Sequence, residues 1–351
     1  MSHETVRVGF IGAGAICRTK HLPGLAAIDG AEVVAVCNRS EESARKVAAD
    51  FNIPHIESDW KKLIARDDLD AVFIGTWPYM HKQLSIAALE AGKHCFCQAR
   101  MAMNLDESKQ MLAAARAHPH LVNMICPCPW PLEHHVRDMI HSGQLGRITS
   151  VELIAAGGGN LDRSTVHWRE RTEYSGNQIL AMGILAETLN AMVGPYEELS
   201  AQTATPIETK TDESRAPVRI GVPQVVTISG SLENGALAIE HHSGVTVDST
   251  SREMRLTIRG LEGTLRYDLA GCLEFGRPDE PLGPVEVPEE RRTAWSVEAD
   301  FIGAVRSARA GKPPEARSAR PDFTEGVLYM RKVEAVHRSA STGRAVKPAE
   351  L

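Results

Sequence analysis

The sequence predicts an α/β protein, and three observations carry that prediction. Short apolar runs alternate with stretches of helical periodicity through the first half of the chain. The first of those runs opens directly onto two glycines, Gly12 and Gly14. A 43% hydrophobic, 24% charged composition over 351 residues supplies a real core and more chain than one small domain needs.

The elements follow in order. "VRVGFIGAGAIC" at 6–17 reads as a strand, a tight turn and the start of a helix. Gly12 permits the turn, and Gly14 lets a pyrophosphate approach the backbone at the helix N-terminus, where Ala15 and Ile16 supply the first N–H groups. Cys17 stands where the dinucleotide fingerprint carries its third glycine, small but less suited to close helix–strand packing. Strand patterns recur at 32–37, 71–76, 94–97 and 122–126, with helical patterns at 40–51, 79–91 and 105–117 between them. Such alternation implies a parallel, doubly wound sheet with its ligand across the strand C-termini. Candidate nucleotide contacts there are Thr76, Trp77, His81 and Gln98. The second strand ends in Asn38, Arg39 and Ser40 instead of the acid that takes a ribose 2′-hydroxyl. A cation with neutral donors suits a 2′-phosphate, so NADP is favoured over NAD.

Composition narrows the alternatives. A net charge of −6 without a Lys/Arg cluster argues against nucleic acid. No apolar run reaches membrane-spanning length. The start shows no secretion signal, and seven cysteines without one favour reduced thiols in a cytoplasm. Two Cys-x-Cys pairs, at 95–97 and 126–128, space their sulfurs too widely along a strand for one metal ion, so no metal site is expected.

Several motifs in fixed order resemble the glucose–fructose oxidoreductase/inositol dehydrogenase/MocA (Gfo/Idh/MocA) family. They are the glycine turn, "DAVFIGTWPYMH", "ALEAGKHCFC", "SGQLGRITSVE", "AWSVEADFIGAV" and the C-terminal "RPDFTEGVLYMRKVEAVHRSASTGRAV". The resemblance covers nearly the whole chain. It implies a Rossmann domain over 1–125, then an α/β domain with a large open mixed sheet over 126–351, whose last helices can return to the first domain. It also implies a homodimer or homotetramer, and hydride exchange between a nicotinamide and a sugar, polyol or related carbonyl.

Two departures from the family pattern stand out. Its strand-end turn usually reads Glu-Lys-Pro, with the Lys beside substrate and nicotinamide; this chain has Gln98, Ala99 and Arg100. Its site helix carries an Asp and a His four residues apart; within 174–194 the matching positions are Ala181 and Leu185. The chemistry must use other residues or be lost.

The replacement candidates lie in "STVHWRERTEYSGN" and nearby. Trp168 and Arg169 resemble a substrate-contacting pair, and His167 is the first choice for general acid/base because its ordinary pKa lies near neutrality. Arg169 and Arg100 are candidates to hold an anionic group, since a guanidinium binds oxyanions but makes a poor base. Glu187 is an acid in an apolar helix, six residues from Ala181 and so on another face. Tyr174 flanks the helix start, Asn177 suits a helix cap, and Trp130 in the 127–131 proline-rich run suits a flat platform for a ring. Asn234-Gly235 marks a hairpin whose second strand sets His241 and His242 on opposite faces. The reading is an NAD(P)-dependent oxidoreductase with an atypical site and a small sugar-like or cyclic hydroxyl or carbonyl substrate. Its rivals are a lyase, hydratase or deglycosidase that keeps the nucleotide, and a catalytically silent nucleotide- or sugar-binding protein.

Overall fold

The computed structural model describes residues 5–128, 130–162, 164–246, 253–268, 271–292, 294–312 and 319–351. The chain divides into two compact units, one of residues 1–127 with 296–327, the other of 128–295 with 328–351.

In the first unit β1 (Val6–Ile11), β2 (Ala31–Cys37), β3 (His55–Ile56), β4 (Ala71–Ile74), β5 (His94–Cys97) and β6 (Asn123–Ile125) form one sheet in the order β3-β2-β1-β4-β5-β6. Every pairing is parallel. The reversal of strand order between β1 and β4 is the topological switch point of a doubly wound sheet. All four residues of β4 and of β5 are buried, as expected of strands covered on both faces. The helices α1 (Leu22–Ala26), α2 (Glu41–Phe51), α3 (Trp60–Ile64), α4 (Pro78–Glu90) and α5 (Leu105–Ala117) connect them.

Their starts are set locally. Ser40 accepts from the Ser43 N–H ahead of α2, and Asp59 does the same from Lys61 ahead of α3. Asn104 accepts from Glu107 N at 2.9 Å while the Glu107 carboxylate takes Met103 N at 3.1 Å, which fixes the entry of α5. Pro78 opens α4, where its missing N–H costs nothing. Neither β3 nor α3 had a sequence signal: two residues carry no period, and one and a half turns of helix carry little more.

The second unit begins with α6 (Glu133–His141), β7 (Ile148–Ala156), α7 (Thr172–Ser175) and α8 (Met182–Val193). A further set of strands follows: β8 (Tyr196–Ala204), β9 (Thr209–Thr211), β10 (Pro217–Arg219), β11 (Val225–Leu232), β12 (Leu237–Ser243), β13 (Glu253–Gly260), β14 (Thr264–Asp268), β15 (Cys272–Gly276) and β16 (Gly283–Pro284). Among the described residues eight of these form a sheet ordered β16-β15-β14-β13-β7-β12-β11-β8, antiparallel except for the β7–β12 pair. This is the large open mixed sheet the sequence implied.

The hairpin turns where expected, with Gly235 at φ +83° and the Asn234 side chain taking Ala236 N. Alternation along β12 buries Ala238, Glu240 and His242 and exposes Leu237, Ile239 and His241, so the two histidines do face opposite ways. Two helices close the chain, α9 (Val297–Arg309) and α10 (Phe323–Thr342). Phe301 of α9 meets Phe73 and Phe96 at ring distances of 5.1 and 5.6 Å, so α9 completes the first unit's aromatic core.

Candidate functional site

The glycine turn of the first unit is made by backbone. Gly12 sits at φ +81°, and a Cβ there would lie 2.6 Å from Thr76 Cγ2 and 2.8 Å from Thr76 N. Only glycine fits. Gly14 differs: a Cβ there would meet nothing nearer than Gly12 O at 3.9 Å, so the fold itself does not demand a glycine. The open side of Gly14 is room for a ligand. Beside the turn the buried Thr76 Oγ1 has no hydrogen-bond partner among the described residues. An open cradle and an orphaned hydroxyl at a helix start suit a dinucleotide pyrophosphate and its ribose.

Cys17, the imperfect third-glycine residue, is accommodated from the other side. A Cβ on Gly75 would lie 2.3 Å from Cys17 Sγ, so the thiol packs into the space that Gly75 vacates. Burial pushes that thiol up to about 12.

The neighbouring residues divide into those that face solvent and those that hold the turn. Ala15, Ile16 and Arg39 are exposed, and the Arg39 guanidinium lies over the half-exposed Trp77 ring at 5.9 Å. Asn38, expected to serve the ribose, is a brace: its Oδ1 takes Ala13 N at 2.8 Å and its Nδ2 donates to Ser43 Oγ at 2.9 Å. Ser40 caps α2. His81, expected to touch the nucleotide, is wholly buried between the Arg100 and Thr76 carbonyls, at 2.8 and 2.9 Å. It clamps the loops after β4 and β5 together, and burial lowers its pKa.

At the end of β5 the Ala99–Arg100 peptide is cis and Arg100 is buried. Gln98 belongs to a buried chain that sequence reading missed. His21 Nδ1 lies 2.5 Å from Glu298 Oε1, and His21 Nε2 lies 2.9 Å from Gln98 Oε1. A π turn over Cys17–His21 carries the imidazole inward, against Phe96 at 5.1 Å. One signal was legible: Glu298 shares the spacing of Phe301, Ile302 and Val305, an acid on an apolar helical stripe.

In the second unit His167, Trp168, Arg169 and Glu170 form one short 3-10 turn. Arg169 stacks on the Trp168 ring at 4.4 Å. His167 Nδ1 accepts Arg169 N at 3.3 Å, and the Glu170 carboxylate accepts His167 N at 3.0 Å. A neutral imidazole that accepts at Nδ1 carries its proton on Nε2. A ring in that tautomer can donate through Nε2, which is the acid half of the general acid/base role expected of it.

Three other expectations change. Trp130 is 1% exposed and packs on Tyr267 at 5.1 Å, so it belongs to the core and offers no platform; Pro129 beside it lies outside the described residues. The helix expected from 174 begins at Met182, because Gly176 (φ +58°) and Leu180 (φ +47°) break the run. Asn177 caps nothing: its Nδ2 donates to Glu334 Oε2 and its carbonyl accepts from His337 Nε2, which moors the loop to α10. Ala181 is half-buried and Leu185 buried, while Glu187 and Tyr174 are half-buried. Among the described residues no cluster of His, Cys, Asp or Glu could hold a metal ion, and no helix is long and apolar enough to cross a membrane.

Comparison with known proteins agrees with this architecture. The oxidoreductase family model with an NAD-binding Rossmann fold matches residues 6–125, and the Gfo/Idh/MocA C-terminal domain matches 134–266. A 1,5-anhydro-D-fructose reductase from Ensifer adhaerens is 31% identical over 97% of this chain and 98% of its own. The chain spans less than half the length of some curated relatives. One is a 4-carboxy-2-hydroxymuconate-6-semialdehyde dehydrogenase from Sphingobium sp., 44% identical over 25% of this chain and 28% of that one. The solved apo levoglucosan dehydrogenase superposes with a TM-score of 0.86 at 20% identity, covering 98% of both chains, a likeness of fold. The chain is a member of the Gfo/Idh/MocA family of NAD-binding oxidoreductases.

Proposed function

We propose that the protein binds a nicotinamide dinucleotide on the Gly12–Gly14 turn and oxidises or reduces a carbohydrate-type hydroxyl or carbonyl group. The observation that carries the reading is the cradle at Gly14, open where the fold needs no glycine, on a turn whose Gly12 packs on Thr76, a residue whose hydroxyl has no partner among the described residues. The substrate class follows relatives named for 1,5-anhydro-D-fructose and levoglucosan. The bound nucleotide supplies or accepts the hydride.

The chain's own residues do the rest. Arg39, exposed where an acid would take the ribose diol, favours a 2′-phosphate and hence NADP. Trp168 and Arg169 offer a ring face and a cation to a polar substrate, and in the first unit the Arg100 guanidinium suits an anionic group. His167 donates through Nε2 to the reacting oxygen. Ala99, Ala181 and Leu185 can neither give nor take a proton, so the site departs from the family pattern. A second copy of the chain covers the open face of the sheet at Leu237, 65% exposed, and Ile239, 51% exposed.

Absorbance at 340 nm with NADP(H) and NAD(H), across a panel of sugars, anhydrosugars and polyols, tests the reading. A substrate-dependent change supports it. Product formed without net change in the nucleotide would replace it with a non-redox reaction, and no nucleotide binding by calorimetry would end it. Light scattering that finds only a 38.2 kDa species would refute the second copy.

A further inference from the structure

The Glu170 carboxylate is buried, and it lies one residue beyond the proposed substrate-facing pair. It receives four donors: His167 N at 3.0 Å, Lys210 Nζ at 2.8 and 3.0 Å, Asn160 Nδ2 at 3.2 Å and Gln224 Nε2 at 3.3 Å. Both side chains of the ion pair are 2% exposed. Lys210 also donates to Asn160 O at 3.0 Å, and the Glu170 carbonyl accepts Gly221 N at 3.3 Å. Three remote segments, at 160, 210 and 221–224, are thus gathered onto the turn that carries His167, Trp168 and Arg169.

Such an arrangement is more than cohesion needs. An ion pair taken this far from water gains little net stability, because desolvation offsets the attraction. What it supplies is direction. The carboxylate holds His167 N, which fixes the start of the turn, and the turn in turn sets the His167–Arg169 contact that decides which imidazole nitrogen carries the proton.

We propose that Lys210 and Glu170 form a positioning pair for substrate recognition, fixing the orientation of Trp168, Arg169 and His167 from a buried site that touches no substrate itself. The proposal rests on the reading that this turn faces the substrate. Loss of the pair loosens the turn, so substrate binding weakens while nucleotide binding, which belongs to the other unit, stays as it was.

The test uses full-length protein labelled with 5-fluorotryptophan, with the Trp168 resonance assigned by its loss in Trp168→Phe. In Lys210→Met the Trp168 fluorine signal should shift or broaden while those of Trp60 and Trp77 stay put. KM for the carbohydrate substrate should rise about tenfold or more, with nucleotide Kd unchanged. Glu170→Gln, which keeps the shape and removes the charge, should give the smaller change of the same kind, and it serves where Lys210→Met does not fold. An unmoved Trp168 signal in a folded variant overturns the proposal, with or without an assay for activity. If Trp168→Ala and Arg169→Ala raise KM but Lys210→Met does not, the positioning pair is wrong and the reading of the turn survives. If Trp168→Ala and Arg169→Ala also leave KM unchanged, both fail.

Discussion

The turn at Gly12–Gly14 and the turn at His167–Glu170 solve the same problem by opposite means. The first is held mainly by backbone and by two positions without side chains, with a single side-chain brace from Asn38 Oδ1 to Ala13 N. The second is held by one buried carboxylate that collects donors from as far as 54 residues along the chain. A site built from backbone tolerates most changes around it and fails at one or two glycines. A site built from a remote ion pair tolerates change at its surface and fails at residues that never meet a ligand.

Glu170→Ala should break the second turn most severely. It strands the buried Lys210 cation, and losing one member of a buried pair costs about 3–5 kcal/mol. Urea unfolding would show it, and a loss below about 1 kcal/mol would mean the turn is held by something else. A second buried carboxylate of the same unit sharpens the point through pH. Burial pushes Glu240 up, but the charges of Lys332, 2.5 Å away, and His242, 2.9 Å away, prevail and hold it at about 2, below its usual 4.5. The unfolded chain takes up that proton first as pH falls. The contribution, about 3 kcal/mol at most, is therefore full above about pH 4.5 and lost on descent toward pH 2. Stability measured at pH 5 and pH 3 should differ less in Glu240→Gln than in the wild type; equal differences would break the account.

Gly12→Ala should weaken nucleotide binding about 100-fold, since its Cβ collides with Thr76 at a backbone angle side chains avoid. Gly14→Ala should lower affinity with the melting temperature unchanged, because its Cβ enters space that is open without ligand. A fall in melting temperature instead would make Gly14 a folding residue. His167→Ala should lower turnover about 10- to 100-fold as a lost hydrogen bond, and His167→Gln, which can still donate, should recover part of it. Equal loss in both would restore full proton transfer to the imidazole. Arg39→Ala should have the smallest effect, about tenfold on NADPH alone, since the side chain is exposed and screened; an equal loss for NADH would remove its role in choosing the nucleotide.

What could be read in advance followed the same division. Strands with apolar runs, the glycine turn and the hairpin at Asn234-Gly235 are local, and all were legible. The ion pair was not: "IETKTDES" reads as a solvated loop, and nothing in it says that Lys210 is buried against a residue 40 positions earlier. Asn177 was misread for the same reason. Its partners lie 157 and 160 residues away, and they outweighed a local preference for capping. Trp130 shows the converse, an aromatic between prolines that looks like a pocket wall until Tyr267 covers it.

The packing of Cys17 against Gly75 is one case of a wider pattern among the seven thiols. Five are buried, Cys128 is half-buried, and Cys272 alone is exposed. Burial lifts Cys37 to about 11 and Cys95, like Cys17, to about 12, so at neutral pH these sulfurs hold almost no thiolate. A maleimide probe offered to the native protein therefore has one fast target, on β15. That strand lies next to the edge of the mixed sheet, two places from β13, and so the wild-type chain already carries a single reporter for whatever settles on that sheet.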